Sequence, residues 1–208
     1  MMMEYETLVL GELQTNCYLV WDKMTKEAVI IDPADDGVAI TEEIYQRRLK
    51  PLGIFLTHGH FDHLLGLIDL KLILNLPVYG SSEDNFFFKN TAKSASFWLK
   101  RTIDIPNIKG VDVDLVNVSA IKLGDEKIEV IKTPGHTPGG VCFYCQRSGL
   151  LFSGDTLFAG AKGRTDLKYS SEEEINKSVK KLLELPINTV VLPGHGSPTT
   201  IGQERIFY

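Results

Sequence analysis

Short apolar runs recur along the chain and end at Gly, Pro, Asp or Asn, with amphipathic stretches between them. Runs at 6–10, 17–21, 28–31, 54–57, 78–79, 128–131, 141–145, 150–153 and 189–192 are rich in Val, Ile, Leu, Phe and Tyr and read as strands. Arg147-Ser148-Gly149 reads as the turn of a hairpin between two of them. Helical spacing is clearest at 38–49, 64–75 and 171–185. The last opens on Ser171-x-x-Glu174, a capping box. It then places Ile175, Val179, Leu182 and Leu183 on one face and stops at Pro186. The segment 81–110 holds two aromatic clusters, Phe86-Phe87-Phe88 and Phe97-Trp98-Leu99, in polar sequence. They either pack as short helices over the core or line a pocket, and core packing is the main expectation, since aromatics tend to bury. Strands interleaved with helices predict a layered α/β or α+β domain.

The chain of 208 residues is 43% hydrophobic, which suits one domain over 1–208 with a substantial core. A net charge of −5 gives no electrostatic reason to expect nucleic acid or an anionic membrane as partner; a small-molecule substrate is expected instead. The apolar runs are too short to span a bilayer. Residues 1–11 lack a basic stretch followed by an apolar one, so the expected location is the cytoplasm. Cys142 and Cys145 form a C-x-x-C without the second pair that a zinc ribbon requires. Three apart in a strand, they would face opposite sides as small apolar fillers.

The chemistry concentrates in Thr57-His58-Gly59-His60-Phe61-Asp62-His63, at the end of an apolar strand. Three further turns repeat that context. His136 lies in Thr-Pro-Gly-His-Thr-Pro-Gly-Gly, Asp155 in Ser-Gly-Asp-Thr, and His195 in Pro-Gly-His-Gly, each just past a strand. Strand ends are where polar donors converge without burying unpaired charge. All five histidines of the chain sit in these turns and none is spare, unlike the scatter of surface histidines in an ordinary protein. Imidazole and carboxylate together suit zinc, iron or manganese. Seven donors exceed the needs of one tetrahedral ion and suit two ions sharing a carboxylate. Such ions, about 3.5–4 Å apart, hold a bridging hydroxide that is a nucleophile at neutral pH.

These motifs, in this order and spacing, resemble the metallo-β-lactamase-fold hydrolases, from Cys17 in Thr15-Asn16-Cys17-Tyr18 through His195. The resemblance implies an α+β fold, an αββα four-layer sandwich with the site at one edge of two sheets. It implies that His58, His60 and His136 hold one metal, that Asp62, His63 and His195 hold the other, and that Asp155 bridges. Asp62 and Asp155 are the catalytic carboxylates on this reading, with Asp62 orienting the incoming water or taking its proton. Asp32 ends a strand before Pro33; it is either an acceptor behind a ligating imidazole or an ordinary turn aspartate.

Within the superfamily the stretch Ser-Gly-Asp-Thr-Leu-Phe-Ala-Gly-Ala-Lys-Gly-Arg-Thr-Asp looks most like glyoxalase II (hydroxyacylglutathione hydrolase) and its shorter relatives. That implies thioester hydrolysis with two divalent ions, zinc first and iron or manganese next. Arg164 lines up with a basic residue that contacts glutathione there, and a solvated surface arginine is the other reading. Several true β-lactamases have cysteine where Asp155 stands, which argues against antibiotic hydrolysis as the main role. Only residues 196–208 follow His195, where glyoxalase II carries a helical extension that builds much of its glutathione site. Gly163-Arg164-Thr165-Asp166 is also similar to iron-dependent persulfide dioxygenases of the same fold, the alternative activity. Phosphodiesterases and nucleases of the fold usually add domains or arms that this chain lacks.

Overall fold

The computed structural model describes residues 3–208. Fourteen strands and six helices follow in chain order. They are β1 (Met3–Leu10), β2 (Thr15–Asp22), β3 (Glu27–Ile31), α1 (Gly37–Gln46), β4 (Lys50–Phe55), α2 (Leu67–Leu74), β5 (Val78–Gly80), α3 (Asn85–Lys89), α4 (Thr91–Leu99) and β6 (Val113–Asp114). Then come β7 (Ala120–Leu123), β8 (Glu126–Lys132), β9 (Val141–Cys145), β10 (Leu150–Gly154), β11 (Leu157–Phe158), β12 (Ala161–Lys162), α5 (Glu172–Leu182), β13 (Val190–Pro193), β14 (Thr199–Thr200) and α6 (Ile201–Glu204). One six-stranded sheet runs β1 to β6 in chain order, antiparallel through β3 and parallel from β3 onward. The second runs β14-β13-β10-β9-β8-β7, with β11 and β12 as a small separate hairpin.

The alternation along each strand divides the interior into three apolar layers. In β2, Cys17, Leu19 and Trp21 face outward onto Ile40 and Ile44 of α1 and Leu67 and Leu70 of α2. Tyr18 and Val20 face inward, where Val29, Ile31 and Phe55 meet Phe143, Phe152 and Leu192 of the second sheet. Beyond that sheet, Cys142, Tyr144, Leu151 and Val191 pack on Ile175, Val179 and Leu182 of α5. Helix, sheet, sheet, helix is the expected αββα four-layer sandwich. Among the described residues no helix is long and apolar enough to cross a membrane.

All nine expected strands and three expected helices form. Ser171 caps α5, its hydroxyl accepting from the Glu174 N–H at 3.3 Å. The 147–149 turn joins β9 to β10, with Gly149 at φ 63°. Cys142 and Cys145 fall in different layers, and burial pushes both thiols up, so neither is a ready thiolate. Two expectations need correction. The second helix begins at Leu67 rather than residue 64, because Phe61–His63 forms a 3-10 turn that aims His63 inward. The 81–110 aromatics do not all pack as core. Phe88 is fully buried, but Phe86 and Trp98 are 45% and 46% exposed, and Phe97 is 74% exposed.

Candidate metal centre

Four strand ends meet at one edge of the two sheets. The turn after β4 brings His58, His60, Asp62 and His63. The turns after β8, β10 and β13 bring His136, Asp155 and His195. His58, His60 and His136 each present one donor atom to a common point, with all three atoms within 4.8 Å of one another. Asp62, His63 and His195 form a second such group. Asp155 lies between them. Its Oδ2 is 3.5 Å from His136 Nε2 and 3.7 Å from His195 Nε2, and its Oδ1 is 3.5 Å from His63 Nε2. The structure thus brings together all seven sequence-expected ligand residues.

The other ring nitrogen of four histidines is already occupied. His63 Nδ1 lies 2.9 Å from Asp32 Oδ2, His58 Nδ1 3.0 Å from Thr57 Oγ1, His136 Nδ1 2.9 Å from the Arg164 carbonyl, and His195 Nδ1 3.1 Å from the Leu13 carbonyl. Acceptors at Nδ1 place the proton there and leave Nε2 as a bare lone pair. The remaining histidine, His60, turns Nδ1 inward, 2.9 Å from His136 Nε2. Nε2 of His58 and of His63 and Oδ1 of Asp155 are buried with no hydrogen-bond partner. Buried polar atoms are rarely left so. Three of them aimed at one space fit cations held between them.

The electrostatics agree. Burial, with the neighbouring rings, pushes His58 well down and His60 down to about 3, so both stay neutral and able to ligate. Burial also opposes a charge on His63, but Asp62, Asp155 and Asp32 outweigh it and push the ring up to about 10. Three carboxylates around one ring make a field that holds a proton in the bare protein and favours a metal cation equally well.

Asp32 is a hub. Its Oδ1 accepts from the Thr57 N–H at 2.7 Å, and its Oδ2 accepts from the Thr57 hydroxyl at 2.6 Å as well as from His63. His58 donates to the same hydroxyl, so Asp32 orients two imidazoles at once. Asp32, His58 and His63 also cluster closely enough to be read as a metal triad. Both Asp32 oxygens, however, are filled by protein donors, which makes it a support rather than a ligand. Arg164 lines the cavity over these ligands. Its guanidinium pairs with both oxygens of Asp166 at 2.7 Å, and its backbone carbonyl is what touches His136.

The sequence reading missed Asp84. This carboxylate, 0% exposed, precedes α3. Its Oδ2 accepts from the Gly59 N–H and the Thr137 hydroxyl, both at 2.8 Å, and its Oδ1 from the Gly139 N–H at 2.7 Å. One side chain thereby ties the His58–His60 turn to the His136 turn. A Cβ on Gly139 would stand 2.8 Å from the Asp84 carboxyl, so glycine is needed for that approach. The glycines before His60 and after His136 were the available signal, without anything to say what approached them. Asn16 was another miss. Its amide donates to the carbonyls of Pro193 and Gly196, at 2.9 and 3.0 Å, and so pins the His195 turn.

Comparison with known proteins agrees with this arrangement. The sequence profile of the metallo-beta-lactamase superfamily matches residues 10–195. The chain belongs to that superfamily. It is 35% identical over 208 residues to the hydroxyacylglutathione hydrolase GloC of Haemophilus influenzae, covering 98% of this chain and 95% of that one. Among solved structures it resembles the BLEG-1 B3 metallo-beta-lactamase, with TM-score 0.90 and 36% identity over 98% of this chain and 97% of the other. It also resembles TTHA1623 in a di-iron-bound form, with TM-score 0.85 and 36% identity over 96% of each.

The site opens into a cavity of about 550 Å³, the size of a small-molecule pocket. His60, Asp62, His136, Asp155 and His195 form its floor, and Phe86, Phe87, Trp98, Leu13 and Leu167 stand around it.

Proposed function

We propose that this chain is a dinuclear metal-dependent hydrolase of thioesters, glyoxalase II-like in its chemistry. The observation that carries the proposal is the convergence of seven ligand residues, three of them with a buried atom that has no hydrogen-bond partner, five of which form the floor of a small-molecule cavity. His58, His60 and His136 would hold one ion, Asp62, His63 and His195 the other, and Asp155, which reaches both groups, would bridge them. Zinc is the first expectation for this donor set, with iron or manganese next. The di-iron form of TTHA1623 favours two ions and makes iron a real choice. Ions there would acidify bound water to a pKa of about 7 and polarise a carbonyl oxygen.

The chain's own residues supply position and proton handling. Burial works against a charge on Asp62, but His63 and His195 outweigh it and hold the carboxyl well below the usual carboxylate range. Its Oδ2 takes a hydrogen bond from the Thr15 hydroxyl at 3.2 Å, which fixes it at the cavity floor. An ionised, oriented Asp62 is suited to accept a hydrogen bond from the attacking water and align it, although so acidic a carboxyl is a weak base for taking its proton. Asp32 and the carbonyls of Arg164 and Leu13 keep the imidazoles in the ligating tautomer. The small molecule is the only partner this reading requires, and the cytoplasm is its place.

Likeness to GloC supports thioesters as the substrate class. Likeness to BLEG-1 makes β-lactams the second class, with Asp155 arguing against them as the main one. A one-iron persulfide dioxygenase would leave Asp62, His63 and His195 without a task. The test is elemental analysis combined with a panel of glutathione and coenzyme A thioesters, β-lactams and phosphodiesters. About two ions per chain with preferred thioester turnover is the expected result. A single ion, or oxygen uptake with glutathione persulfide by iron-loaded protein, would overturn it. Asp155→Ala should lose metal and thioesterase activity together; wild-type levels of both would sink the two-ion assignment.

A further inference from the structure

Part of the cavity lining above the ligands is aromatic. Phe88 turns into the core and anchors α3, which leaves Phe86 and Phe87 to the cavity. Phe87 stands edge-on to His60 with centroids 4.8 Å apart, and Phe86 lies 4.8 Å from Tyr169. Together with Trp98 of α4, these rings make an aromatic wall that starts at the ligands and runs outward. Phe86 and Trp98 are nearly half exposed, although large apolar rings gain by burial. Two cations stand against this wall, the Arg164 guanidinium 5.9 Å from the Trp98 ring centre and the Lys168 ammonium. Lys168 Nζ sits 5.1 Å from the Phe86 ring centre and 4.7 Å from that of Tyr169. Among the described residues no carboxylate pairs with it, whereas Arg164 is taken by Asp166.

From this we infer that the substrate's acyl group is apolar and lies along Phe86, Phe87 and Trp98, and that its thiol carrier bears an anionic group that Lys168 meets. The inference rests on the thioester reading. A lactoyl group has three carbons and a hydroxyl and would leave most of the wall wet. A linear chain of about six carbons, or an aromatic acyl group, would cover it. Rings beside Lys168 hold its ammonium in place without neutralising it, so the charge stays available for a carboxylate or phosphate on the carrier.

Each methylene moved from water onto an apolar surface contributes about 0.8 kcal/mol, or about fourfold. With the wall only half enclosed, S-hexanoylglutathione should exceed S-acetylglutathione in kcat/KM by about tenfold or more. In the Phe86→Ala/Trp98→Ala double variant that ratio should fall to about threefold or less. Both rings are partly exposed, and circular dichroism would check that the fold persists. Binding is read separately by calorimetry with thioethers, which cannot be hydrolysed as thioesters. S-hexylglutathione should bind about tenfold tighter than S-methylglutathione. Lys168→Gln should weaken S-hexylglutathione and S-hexyl-coenzyme A about tenfold while leaving S-hexylpantetheine, which has no anion, as it was. The stronger of the first two names the carboxylate or the phosphate as the natural anion. Turnover and binding that are both flat in chain length would overturn the acyl subsite. Equal loss of the pantetheine compound would overturn the role of Lys168. Length-dependent binding with no thioester turnover would instead overturn the hydrolase reading and leave the subsite standing.

Discussion

Asp84 offers the sharpest test of how the metal loops are held. Asp84→Asn keeps the shape but replaces one carboxylate oxygen with an amide that donates. If the amide takes the Oδ1 place, it faces the Gly139 N–H; if it takes the Oδ2 place, it faces the Gly59 N–H. Either way at least one buried donor loses its acceptor, at about 1–3 kcal/mol. Burial raises the Asp84 carboxyl, against three hydrogen bonds that lower it, so a neutral amide recovers part of the desolvation cost. The net expectation is a loss of about 2 kcal/mol in the metal-free protein, or roughly 4–8 °C in Tm for a chain of this size. The turns bearing His58, His60 and His136 would also lose their common anchor, and metal affinity should fall about 10–100-fold. Thermal denaturation after chelation reads the first effect, and competition with a chromophoric chelator reads the second. A variant with wild-type Tm and metal affinity within twofold of wild type would refute the argument that this carboxylate fixes the two turns.

Asp32→Asn should lower metal affinity by about 10–100-fold, because His58 and His63 both depend on that carboxylate; chelator competition checks it. The pH dependence of the metal-free protein should be two-sided. His63 is raised from 6.5 to about 10, so its contribution is complete below 6.5 and lost as pH rises through 10. His60 is lowered from 6.5 to about 3, so its contribution is present above 6.5 and lost as pH falls toward 3. Denaturation midpoints of chelated protein across this range should therefore peak between the two windows. The alkaline loss should vanish once metal replaces the His63 proton, and its persistence in loaded protein would count against His63 as a ligand.

The ligand turns were legible because they are local. A histidine or aspartate directly after an apolar run must sit at a strand end, and strand ends of one sandwich edge meet. The layering was legible through the family resemblance rather than through alternation: Cys17 to Trp21 is apolar at every position, which says that both faces of the strand are buried but not against what. The partners of the ligands are long-range and were hidden. Asp84 looks like one more polar residue in Ser-Ser-Glu-Asp, and nothing local says that it reaches Gly59 and Gly139. The carbonyl of Arg164 left no trace in residue type at all. The strands β6, β11, β12 and β14 have two residues each, too few to show a period. Phe86-Phe87-Phe88 carried a readable clue. Three consecutive residues of a helix cannot all face one core, so at least one ring had to point elsewhere.

The segment between β5 and β6 both braces the floor and builds the wall, and the two tasks divide along it. Asp84, at its start, is committed to the ligand turns, while Phe86, Asn90, Ser94 and Trp98 meet only the cavity edge of the site. Substrate preference in this architecture can therefore be rewritten at Phe86, Asn90, Ser94 and Trp98 without touching a ligand residue. An engineer seeking a new acyl specificity would diversify those four and hold constant Asp84, Phe87, which packs on His60, and Phe88, which anchors α3 in the core. Natural divergence among proteins that share the same seven ligand residues has the same route open to it.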